Sequence, residues 1–206
     1  MRKILLVIGL FSCLSLAAQV TDSVLFAAYQ KEDMKVWKEY IESQTSLSPL
    51  TSHLSPLLYE YGYCGYIVAE AKKEGNEALL PEAKRCVEHF KSQISNFKSQ
   101  MSIGHYEMYM SAVYVFELRL HESIHPVKSM SLAKEATKLA PNDPLVLSYY
   151  GTCLFYAPKP FGSKSEALEW FEKAKPYFSD GRYKFCWIRE ANEMYIRQCK
   201  EKLKMH

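Results

Sequence analysis

The pentapeptide His121-Glu122-Ser123-Ile124-His125 has the spacing H-E-x-x-H. On a helix, that spacing puts both imidazoles on one face, where they can hold a zinc ion with the glutamate beside the metal-bound water as general base. The chemistry would be hydrolysis of a peptide bond. Pro126 follows at once, and a proline ends or distorts the helix that would present both ligands. Lys128 and histidine-free sequence follow where an extended zincin has glycine and a third histidine. The pentapeptide is therefore expected in a turn between two helices, and a zinc-dependent hydrolase using His121, Glu122 and His125 is retained only as an alternative.

The remaining chemistry-bearing residues are scattered. Gly162-Ser163-Lys164-Ser165 has the ending of a phosphate-binding loop but lacks the earlier glycine, the adjacent Gly-Lys pair and the preceding strand. Ser163 and Glu166 are instead spaced as a helix capping box. There is no G-x-S-x-G and no C-x-x-C. Cys64, Cys86, Cys153, Cys186 and Cys199 are odd in number and far apart along the chain. They read as small buried hydrophobes, with one disulfide left open. No cofactor is expected.

The N-terminus carries a leader. Arg2 and Lys3, an apolar run from Ile4 to about Leu14 and the small-residue exit Ser15-Leu16-Ala17-Ala18 make residues 1–18 a secretory signal. This predicts an exported, periplasmic or envelope-associated protein starting near Gln19. The run is shorter than the roughly 20 residues of a spanning helix, and no later segment approaches that length. Bulky Phe11 stands where a lipobox needs a small residue, which argues against a lipid anchor at Cys13. Without the leader the formal charge falls from +3 to +1. Lysines and glutamates interleave as on solvated helix faces, so no basic stripe for nucleic acid is present.

The elements that must position these residues are helices. With 206 residues and 48% hydrophobic content the chain supports a single domain over 19–206. The apolar period is helical throughout, so the fold class is all-α, as antiparallel helix pairs. A first unit spans Asp22–Ser43, with a break at Lys31-Glu32-Asp33, and a connector rich in Ser, Thr and Pro spans Ser46–Pro56. Helices follow over about Leu57–Lys73 and Pro81–Met101, then His105–Leu120 and Val127–Ala140. Asp143 is placed as an N-cap with Pro144 at the first helical position, opening a helix to Tyr156. Another begins at Ser163, and Tyr183–Leu203 closes the chain as one long helix. Gly65 is expected where a partner helix comes close.

Within Ser131–Ser179, Ala136 and Pro141 match the small residue and closing proline of one helix-turn-helix unit. Gly151, Ala167, Phe171 and Ala174 match the small and aromatic positions of the next. On these residues the chain resembles the tetratricopeptide repeat family, over roughly Leu57–Ser179. Aligning Gly65, Ala112 and Gly151 gives spacings of 47 and 39, against about 34 in the family, the extra residues falling between helices. The resemblance implies a superhelical stack of helix pairs with a capping helix, and a non-catalytic binding or scaffold role. Its groove positions transfer to Tyr59, Tyr66, Tyr106, Tyr109, Phe116, Ser148, Thr152 and Phe155. An aromatic groove suits a protein or peptide partner, or a small apolar or sugar-like ligand held by a carrier associated with an envelope transporter.

Overall fold

The structure, a computed structural model, describes residues 22–44, 56–121 and 126–204. The leader, Cys13, most of the expected connector and Glu122 to His125 lie outside the described residues. The chain is all-α, with nine α-helices and no strand among the described residues. They are α1 (22–30), α2 (Met34–Gln44), α3 (Pro56–Ala71), α4 (Leu80–Phe97), α5 (Ile103–Arg119), α6 (Pro126–Leu139), α7 (Pro144–Tyr156), α8 (Lys164–Ala174) and α9 (Trp187–Lys204).

Local chemistry sets these boundaries. α1 and α2 part at Lys31–Asp33, where Glu32 takes the left-handed conformation (φ 57°). The Asp143 carboxylate accepts from the Leu145 and Val146 amides at 2.9 and 3.2 Å, and Pro144 opens α7 with its fixed φ. At α8, Ser163 Oγ accepts from the Glu166 amide at 3.1 Å and donates to the Glu166 carboxylate at 2.8 Å. The capping pair forms, although its return bond runs through the serine hydroxyl rather than the serine amide. The closing helix is shorter than the sequence suggests. Pro176 cannot continue α8, 3₁₀ turns fill Lys175–Ser179 and Gly181–Tyr183, and α9 starts at Trp187.

Consecutive helices pair: α3 with α4, α5 with α6, and α7 with α8, which α9 then covers. Neighbouring pairs also touch through their first helices, α3 with α5, α5 with α7 and α7 with α9. This contact pattern makes a row of odd-numbered helices with the even-numbered ones behind. Small residues set the spacing. A Cβ on Gly151 would lie 2.8 Å from the Phe171 ring, so the glycine of α7 seats the aromatic of α8. Gly65, expected at a close approach, has only ordinary contact with Phe116 at 3.8 Å. The crowded position of α3 is one turn earlier, at Gly62, pressed between the Trp37 and Trp187 rings.

The core is unusually aromatic and wired by a few polar bonds. Tyr61 of α3 lies within 5.8 to 6.5 Å of Phe90, Tyr109, Phe116, Tyr149 and Trp187, ring centre to ring centre. Offset and edge contacts of this kind add specific attraction to area burial. The Trp37 indole donates to the Leu25 carbonyl at 2.7 Å, and the Tyr59 hydroxyl donates to Asp22 at 2.8 Å, fastening α1 to α2 and α3. Ser111 Oγ meets the Ser129 carbonyl at 2.8 Å and the Tyr149 hydroxyl at 2.9 Å, joining α5, α6 and α7 without an orphaned donor.

Candidate functional site

Three helices send a stripe of side chains into one space near the N-terminal end of the stack. From α2 come Lys38, Ile41 and Glu42; from α3, Glu60, Tyr63 and Cys64; from α4, Glu82, Arg85, Cys86 and His89. Each set repeats at three and four residues, the interval that puts side chains on one helix face. Together they enclose a cavity of about 480 Å³ whose wall is mostly carbon. That volume lies in the range of pockets that hold cofactor-sized ligands.

The polar groups in this wall are arranged in three pairs. Lys38 Nζ lies 2.6 Å from Glu82 Oε1, and the Tyr63 hydroxyl donates to the same oxygen at 3.1 Å. The Lys38 hydrogen bond holds the Glu82 carboxyl below its ordinary value against a smaller burial effect. Glu60 is 6% exposed, with Oε2 3.4 Å from His89 Nδ1 and without a hydrogen bond of its own. Burial pushes its carboxyl up to about 7, since desolvation disfavours the charged form. Cys64 and Cys86 are free thiols in hydrogen-bond contact across α3 and α4. This contact lowers the Cys86 thiol, burial opposing it, while the same contact and burial raise Cys64. Arg85 is exposed at the rim.

Such a wall offers an imidazole beside a buried carboxyl group, two thiols, an exposed guanidinium and an apolar floor. His89 Nε2 lies 3.2 Å from the Gln93 side chain, at the end of the imidazole away from Glu60. Among the described residues, no three His, Cys, Asp or Glu side chains stand close enough to share a bare metal ion.

The transferred groove positions are distributed differently. Tyr59, Tyr109, Phe116, Ser148 and Phe155 are buried. Tyr106 and Thr152 are half-buried, and Tyr66 is exposed beside Tyr63. The structure does not bring these eight to one open surface. Tyr61 instead gathers the Tyr149 and Trp187 rings, and a second aromatic group joins Tyr195 to Phe155, Phe171 and Tyr156, the Tyr156 hydroxyl lying 3.2 Å from that of Tyr195. There Arg119 lies over the Tyr156 ring at 5.8 Å, Lys202 lies over Phe155 at 5.3 Å, and Lys164 contacts both the ring and the carbonyl of Phe155. His121 is exposed just beyond α5 with φ 61°, so it is off the helix a zincin requires, and Pro126 opens α6.

Sequence reasoning missed the cavity because Lys, Glu, Arg and His on α2 and α4 look like solvated faces. The available signal was Glu82, Arg85, Cys86 and His89 at positions i, i+3, i+4 and i+7 of one helix, facing Glu60 and Cys64 at i and i+4 of another.

No described helix is long and apolar enough to cross a membrane. Neither family models nor curated protein sequences give a match to the chain. Among solved structures the chain is similar in fold to the HusA haemophore from Porphyromonas gingivalis, with a TM-score of 0.53 and 17% identity, over 82% of this chain and 92% of that one.

Proposed function

We propose that the protein is an exported, non-catalytic carrier that binds a haem-class ligand in the α2–α4 cavity. The observation that carries the reading is the cavity itself: about 480 Å³, walled mainly by carbon, with His89 beside Glu60 and with Arg85 exposed at the rim to meet a carboxylate. A porphyrin is planar and apolar with two anionic arms; the carbon wall matches the plane, and Arg85 at the rim matches an arm. Likeness of fold to a haemophore supports the choice of ligand, and the leader at residues 1–18 supports export. In this reading the tetratricopeptide-like stack is a scaffold whose first pairs carry the site.

Titration of haem into the purified protein, followed by visible absorbance, tests the reading. The account expects a shifted, saturating Soret band at one equivalent, altered in shape by His89→Ala, and affinity roughly tenfold weaker in Arg85→Glu, the loss expected when about 1.4 kcal/mol of charge attraction is reversed. A spectrum like that of free haem, or one indifferent to both substitutions, contradicts it.

A second reading, recognition of a protein or peptide partner, is favoured by the edge where Tyr156 is 57% exposed with Arg119 and Lys164 over its ring, and where Phe161 is 59% exposed in the loop that follows. Exposed rings flanked by cations are the usual anchors of such contacts.

A further inference from the structure

We propose that Cys64 and Cys86 form a reversible dithiol–disulfide pair that is entered through the α2–α4 cavity, with Cys86 as the attacking sulfur. The inference goes beyond the ligand reading and does not depend on it. Both thiols line the cavity and touch across the α3–α4 interface. Cys64 is 2% exposed, whereas Cys86 is half-buried on the cavity side, so a reagent in the cavity meets Cys86 first. Cys153, Cys186 and Cys199 are also free, but none of them is in hydrogen-bond contact with another thiol among the described residues.

The electrostatics agree with this order of events. The hydrogen bond from Cys64 stabilises a thiolate on Cys86; burial and the charges of Glu82 and Glu60 oppose it and Lys38 assists, the net direction being downward, and the thiolate is the nucleophile in disulfide exchange. Burial pushes the thiols of Cys153 and Cys186 up to about 12, which leaves them unreactive near neutrality.

The oxidant is a small-molecule disulfide, as an oxidising compartment outside the cytoplasm supplies. Cys86 Sγ attacks one sulfur of that disulfide, a mixed disulfide forms, and the first small thiolate leaves. Cys64 then loses its proton to solvent and attacks Cys86 Sγ, and the second small thiolate leaves. The protein has given up two electrons and two protons, and the reagent departs as two thiols. The bond joins two helices already packed together, so it staples α3 to α4 and removes both S–H groups from the cavity wall.

Full-length reduced protein equilibrated in an oxidising glutathione buffer, then capped with a maleimide and peptide-mapped, reads the outcome. We expect two fewer alkylatable thiols, a linked peptide containing Cys64 and Cys86, and a melting temperature higher by several degrees, as a cross-link that constrains the unfolded chain produces. Cys86→Ser, a change at a half-exposed position, should leave the far-UV spectrum intact and return Cys64 to the alkylated state. Full alkylation of Cys64 and Cys86 in the wild type, or a link through any other cysteine, overturns the proposal. Haem titration under reducing conditions reads the ligand site separately.

Discussion

Glu60 places an ionisable group where water barely reaches, and its carboxyl is pushed up to about 7 against an ordinary value of 4.5. Between those values the folded chain holds a proton that the unfolded chain has released. The burial-related stability is therefore fully present below about pH 4.5 and is lost as pH rises through about 7, a contribution of up to about 3 kcal/mol. Urea midpoints measured at pH 5 and pH 8.5 should fall with pH in the wild type and change much less in Glu60→Gln. An equal fall in the variant would place the proton elsewhere.

Individual residues also explain where the sequence was misleading. A helical period distinguishes inside from outside, but it does not tell a core ring from a groove ring. Tyr59, Tyr109 and Phe116 satisfied the repeat alignment and are buried. On α3 the alignment was anchored at Gly65, whereas Gly62 is the residue that the Trp37 and Trp187 rings crowd. Trp187 lies far away in sequence, so that contact could not be read locally.

At the level of elements, the helices were legible because caps and turn residues act over three or four positions. Asp143-Pro144, Ser163 with Glu166 and the Lys31–Asp33 break each settle a boundary locally. The start of α9 was hidden by the 3₁₀ turns before it, which have no apolar period of their own. Asp143 shows how much one cap carries. Burial opposes its ionisation, yet the His105 imidazole at 3.1 Å together with the Val146 and Leu145 amides holds the carboxyl below its ordinary value. It therefore ties the N-terminus of α5 to that of α7 as well as capping α7. Asp143→Ala should cost about 1–2 kcal/mol in urea denaturation. The stability it contributes is present at neutral pH and lost on acidification through the lowered carboxyl value, because the protonated acid is a weaker acceptor. A loss under 0.5 kcal/mol would show that the cap is replaceable by water, by the same scale.

Across the whole molecule, the all-α architecture follows from the sequence pattern, and consecutive helices pair, with the odd-numbered helices α3, α5, α7 and α9 in contact from one pair to the next. The cavity was not legible because it belongs to three helices at once, α2 from one unit and α3 and α4 from the next, separated by 45–55, which no local motif spans. Its wall is made by α2, α3 and α4, whereas Tyr156 and Phe161 are exposed at the end of α7 and in the loop after it, so the molecule presents two candidate surfaces on different elements. Backbone amide shift mapping on addition of zinc protoporphyrin distinguishes them in one experiment. The account predicts changes concentrated on α2, α3 and α4 around Lys38, Glu60, Cys86 and His89. Changes confined to α7 through α9 around Tyr156 and Phe161, or none at one equivalent, would contradict it.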